Sequence, residues 1–95
     1  MQSGLPSLNA WVQIGIISIS QRSTTPAYLK ENQVLTVYTD YSNSSIIISP
    51  LMIEATQPAE ALVWYTKRSV SGKNVYDITA INCNAKFDYE IYEYN

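Results

Sequence analysis

Histidine is absent from the 95 residues. That gap removes the commonest general base near neutral pH, the middle member of the usual nucleophile triad and the most frequent ligand of transition metals. Cysteine is nearly absent too. Cys83 is the only one, so no intrachain disulfide can form and a thiolate nucleophile would lack its histidine base. The thiol reads as a small buried apolar residue, with an intermolecular bridge or a reactive thiol as the alternative. Glycine occurs only at Gly4, Gly15 and Gly72, too sparsely for a phosphate-cradling loop. No catalytic, cofactor-binding or metal-ligating residue is therefore expected, and the chain reads as a non-enzyme that needs no cofactor.

Charge is also scarce. Charged residues make up 15% of the chain, against about 25% in ordinary globular domains. The net charge is −2, and Lys67-Arg68 is the only basic pair. Nucleic acids and anionic membranes are recognised by clustered Lys and Arg, so both partners are disfavoured. No apolar stretch approaches the roughly 20 residues that span a bilayer as a helix, so no membrane span is expected. Met1–Ala10 has neither a basic start nor an apolar run, and so is not an intact signal peptide. Residues 1–10 read as a disordered or non-native segment, and 11–95 as a single domain. Apolar residues at 46% argue for a folded core rather than disorder. Ser, Thr, Asn and Tyr replace the missing charge, a balance typical of exported β proteins.

Strand signals recur along the chain. Trp11–Ile19 is rich in β-branched residues, with Gly15 suggesting a bulge. Ser20–Pro26 reads as a loop and Tyr28–Asn32 as the approach to a turn. Val34–Tyr41 alternates clearly, and Ile46–Ile48 reads as a short buried strand. Ser49-Pro50 has the form of a helix start, with Leu51–Glu54 as its body. Pro58 and Glu60 resemble the first turn of a helix, but Val63, Trp64, Tyr65 and Thr66 favour a strand over Ala61–Val70. Ser71–Asn74 reads as the turn of a hairpin to Val75–Cys83, with Tyr76, Ile78 and Ala80 on one face. Cys83 falls with Val75, Asp77, Thr79 and Ile81 on the other. In Phe87–Tyr94, Phe87, Tyr89 and Ile91 alternate with Asp88, Glu90 and Tyr92. Trp11, Phe87 and Tyr89 are core candidates. The fold class is mainly β: a small single antiparallel sheet of about five or six strands, with room for one short helix in the 50–60 region.

Three features touch on chemistry. Asp88 and Glu90, two apart on a strand, form the only carboxylate pair worth weighing as acid and base, and a solvated outer face explains them better. Ser69 and Ser71 near Lys67 and Lys73 are ordinary turn residues. Asn43-Ser44-Ser45 matches a glycosylation sequon that matters only in a eukaryotic secretory route. More informative are eight tyrosines and two tryptophans. Such residues anchor interfaces by burying large area while keeping a polar handle. The candidate protein-binding patch is Tyr89, Glu90, Tyr92, Glu93 and Tyr94.

The order of segments resembles a family. Trp11-Val12-Gln13-Ile14-Gly15 has the form of an opening tryptophan strand. Val34–Tyr38 supplies a V-x-V strand running into Asp40-Tyr41-Ser42. Ser71 then leads into Val75–Cys83 and a tyrosine-rich strand. This is similar to the surface-adhesin protein E family of Gram-negative bacteria. The resemblance implies a small antiparallel protein in the periplasm, on the outer surface or secreted. It also implies a protein partner, such as a host-matrix component, and a capacity to form homodimers. The leading expectation is an exported, adhesin-like, non-enzymatic binding domain. A periplasmic or secreted inhibitor or immunity protein is the alternative, and a phage or structural assembly subunit ranks third.

Overall fold

β-Branched and aromatic residues in alternation, punctuated every few residues by Asn, Ser, Pro or Gly, leave this chain little choice but strands. The computed structural model describes residues 16–94. The strands are β1 (Ile16–Arg22), β2 (Ala27–Leu29), β3 (Val34–Tyr38), β4 (Ser44–Glu54), β5 (Leu62–Val70), β6 (Lys73–Ile81) and β7 (Asn84–Tyr94). Every pairing is antiparallel. The fold is mainly β, as expected. Trp11, Gly15, the start of the expected first strand and the 1–10 segment lie outside the described residues.

The strands form two sheets rather than one. In the first, β7 is central, with β4 on one side and β1 and β2 end to end on the other. In the second, β6 lies between β3 and β5. The reason is visible at the β6–β7 junction. Both strands carry a continuous apolar face, and a single sheet would leave those faces in water. Asn82 takes a positive φ of 55°, so the chain turns sharply and β7 enters the other sheet instead of pairing with β6. Tyr76, Ile78 and Ala80 of β6 then share one buried core with Ala85, Phe87 and Ile91 of β7. Leu29, Val37, Ile46 and Val63 complete it from the flanking strands. The same turn breaks the strand alternation, so Cys83 joins the core instead of the Val75–Ile81 face.

Other boundaries move for local reasons. Ser20–Arg22 are strand, and only Ser23–Pro26 bulge out between β1 and β2. Ser23 bridges that gap: its N–H donates to the Tyr89 carbonyl at 3.0 Å, and its hydroxyl accepts from the Tyr89 N–H at 3.0 Å. The helix expected over Leu51–Glu54 is strand. Met52, Ile53 and Glu54 pair with Lys86, Ala85 and Asn84. Pro50 is tolerated because β4 is an edge strand, and the register shifts between Pro50 and Met52. The 50–60 region has only a single 3₁₀ turn, Pro58–Glu60. The hairpin turn shrinks to Ser71-Gly72, both at positive φ (53° and 78°), which matches the twist of the flanking strands.

Candidate binding faces

β7 carries the patch expected from sequence, and its central place changes what that patch is. It is hydrogen-bonded along both sides, so its backbone offers nothing to a partner. Its five residues also divide. Glu90, Tyr92 and Tyr94 lie on the outer face of the first sheet. Tyr89 packs against the core from the inner face. Glu93 shares that inner side and faces Tyr41, whose phenol it raises above its ordinary pKa by hydrogen bonding and by its negative charge. None of the five is more than half-exposed. The outer three are tied down: the Tyr92 hydroxyl donates to Glu90 at 3.3 Å, and the Tyr94 and Ser45 hydroxyls bond each other. Partial burial and then the Glu90 carboxylate push the Tyr92 phenol up.

Asp88 and Glu90 line the same hollow. About 440 Å³ in volume, it sits where the Ser23–Pro26 bulge interrupts the sheet edge, and Arg22, Ser23, Thr24, Ser49 and Tyr89 complete its wall. The Ser23 hydroxyl donates to Asp88 at 3.3 Å. Both carboxylates thus take a hydrogen bond from a neighbouring hydroxyl. Among the described residues, no group of three or more His, Cys, Asp or Glu side chains could hold a metal ion.

The outer face of the second sheet is different in kind. Register places Val34, Thr79 and Trp64 in one row across β3, β6 and β5, and Thr36, Asp77 and Thr66 in the next. Tyr38, Val75 and Arg68 form a third row. Five large apolar side chains stand open on this face: Tyr38 at 65% exposure, Trp64 at 55%, Val34 at 52%, Leu62 at 42% and Val70 at 41%. Among the described residues no element covers them: β3 connects at both ends to the other sheet, and β5 arrives from that sheet and leaves by a tight turn into β6. A polar core is built among them. Asp77 accepts from Arg68 Nε at 2.8 Å and from the Thr36 hydroxyl at 2.8 Å. Those two bonds hold the Asp77 carboxyl below its ordinary pKa, Arg68 first and Thr36 next.

At the open edge of this sheet, Trp64 and Tyr65 leave opposite faces of β5 as neighbours in a strand must. Their ring centroids are nevertheless 5.0 Å apart, so both rings lean around the edge toward each other. Tyr65 also meets Tyr76 edge-on at 5.8 Å on the inner side.

Sequence reasoning missed this face. The signal was present in β5, where Leu62, Trp64, Thr66, Arg68 and Val70 alternate with Val63, Tyr65, Lys67 and Ser69. Choosing the solvent side required knowing that Val63 and Tyr65 point inward. No protein-family model matches the chain, and no curated protein or solved structure is significantly similar to it. Among the described residues, no helix is long and apolar enough to cross a membrane.

Proposed function

We propose that the protein is a non-enzymatic, adhesin-like binding domain, exported to the periplasm or cell surface, that docks a protein partner on the outer face of its second sheet. The observation that carries this reading is the open aromatic and aliphatic face of Tyr38, Trp64, Val34 and Leu62 around the Arg68–Asp77–Thr36 cluster. Trp, Tyr and Arg are the residues that most often dominate protein–protein binding energy. Here Arg68 is already oriented by Asp77, which lowers the entropy that binding must overcome. A fitting partner presents an apolar patch flanked by carbonyl or carboxylate acceptors. Export is supported by the polar, charge-poor composition and by the resemblance to the surface-adhesin protein E family.

The test is binding of the full chain to purified extracellular-matrix proteins by surface plasmon resonance, with Trp64→Ala and Tyr38→Ala compared against Tyr92→Phe. Loss of about tenfold or more in affinity for the first two, with Tyr92→Phe unaffected, is the expected pattern. Unchanged affinity in Trp64→Ala and Tyr38→Ala would remove this face from the reading. Tight one-to-one capture of a bacterial enzyme, with no matrix binding, would favour the inhibitor alternative.

A further inference from the structure

Among the described residues the two sheets have four open edges, and three are blunted. The β1–β2 edge is broken by the Ser23–Pro26 bulge. β3 is five residues long. β4 carries Pro50 and a register shift beside it. β5 differs: nine residues without proline or bulge, in continuous register with β6 from Leu62–Ile81 to Val70–Lys73. Among the described residues, no backbone–backbone hydrogen bond reaches Leu62–Val70 from outside the β5–β6 ladder. A long flat edge of this kind is a template for another strand.

The sequence of β5 is complementary to itself. A two-fold axis normal to the sheet keeps outward residues opposite outward residues, so an antiparallel pairing of two copies must be centred on a residue. Only the register centred on Thr66 uses the whole strand. It sets Leu62 against the second copy's Val70 and Trp64 against its Arg68 on the outer face. Thr66 meets its own counterpart. On the inner face Tyr65 meets Lys67, and Val63 meets Ser69. Both cations thus face an aromatic ring, an attractive arrangement. Apolar and Thr–Thr cross-strand pairs are favourable as well. Centring one residue later would set Lys67 against Lys67, which is repulsive. Centring one residue earlier would set Lys67 and Arg68 against Val63 and Leu62, burying both charges on aliphatic groups. Lys67 and Arg68 therefore guard the edge against other strands and registers while fitting this one.

We propose that two copies of this chain join through β5, antiparallel and centred on Thr66, to make one six-stranded sheet. The rings of Trp64 and Tyr65 swing apart to admit the second strand, giving up one aromatic contact for backbone hydrogen bonds along nine residues. Both outer faces then lie on the same side of the joined sheet, which gives the assembly two copies of the Trp64 face. The pairing itself requires no other partner, so it stands or falls separately from the docking reading.

Sedimentation of the wild-type chain and disulfide trapping in a Cys83→Ala background test it together. The chain should sediment as a concentration-dependent dimer. Thr66→Cys should cross-link to itself at least about tenfold faster than Ser42→Cys, because only opposed residues share a high effective concentration. Trp64→Cys and Arg68→Cys should cross-link with each other when mixed, and poorly when alone. A chain that stays monomeric from micromolar to millimolar concentration overturns the proposal. So does a Thr66→Cys variant that cross-links no faster than the Ser42→Cys control, even if the wild-type chain dimerises.

Discussion

The Ser44 hydroxyl lies 2.8 Å from the Tyr76 hydroxyl, and this bond ties the first residue of β4 in one sheet to β6 in the other. It belongs to a buried chain of polar groups. Asn74 Nδ2 donates to Ser44 Oγ at 2.7 Å, and the Thr39 hydroxyl donates to the Asn74 carbonyl at 2.7 Å. Ser44, Asn74 and Thr39 are the buried polar residues of the described chain. Burying them is tolerable because each finds a partner.

Deleting different members of that chain should therefore cost different amounts. Tyr76→Phe removes one hydrogen bond and leaves Ser44 with Asn74, so it should lower stability by about 1 kcal/mol. Ser44→Ala strands both the Tyr76 hydroxyl and the Asn74 amide in the interior, and should cost about 3 kcal/mol. Urea unfolding of the two variants checks the order. Equal losses would mean that Ser44 is not the shared partner.

The Ser71-Gly72 turn offers a gain and a loss. Both residues are left-handed, yet only the second is glycine. Asn tolerates this conformation better than Ser, so Ser71→Asn should stabilise the hairpin by about 0.5 kcal/mol. A Cβ at Gly72 would meet nothing within 4 Å, so Gly72→Ala carries only the backbone penalty of about 1 kcal/mol. Thermal midpoints that rise for the first and fall for the second are the expected result.

Cys83 is free and 1% exposed. Burial, then the negative charge of Glu31, push its thiol above the ordinary value. The thiolate, which is the reactive form, is therefore suppressed at neutral pH. An aromatic disulfide reagent should leave the native chain unmodified and react fully once urea unfolds it. Rapid modification of the native protein would place the sulfur at the surface. Cys83→Ser puts a more polar group into the same site and should cost about 1–3 kcal/mol.

Asp77 links stability to pH. Its carboxyl titrates below its ordinary value in the folded chain because Arg68 and Thr36 bond the ionised form. The folded state therefore binds fewer protons than the unfolded state through this window. The stabilisation is fully present above the unfolded carboxylate pKa and disappears as pH falls through the lower folded value. Wild-type protein should lose urea resistance on acidification more steeply than Asp77→Asn, which has no proton to take up. The difference should shrink in high salt, since Arg68 is half-exposed.

Much of the strand content could be read directly from residue order. Val34–Tyr41 and Phe87–Tyr94 announce themselves by alternation, although the first of these strands stops at Tyr38, and Ala61–Val70 does so by its run of strand-favouring residues; Phe87 and Tyr89 were legible as core. Pro50 misled, because a serine–proline pair opens helices as readily as it decorates an edge strand. Nothing within six residues tells which. The candidate binding patch divides between two faces for a related reason. Tyr89 through Tyr94 are consecutive in sequence, but a strand sends neighbours to opposite faces, and a central strand leaves none of them fully open.

The sequence by itself determined that this chain makes antiparallel strands and lacks histidine-based chemistry, since composition and a two-residue period act over a few neighbours. Only the tertiary structure decided that there are two sheets, that β7 is enclosed by neighbours on both sides, and that Trp64 faces solvent while Val63 faces the core. Those outcomes rest on contacts between residues far apart in the chain, such as Ser44 with Tyr76, and on the burial of two apolar faces against each other. No local pattern carries that information, because each strand alone presents two faces and the partner across the core chooses between them.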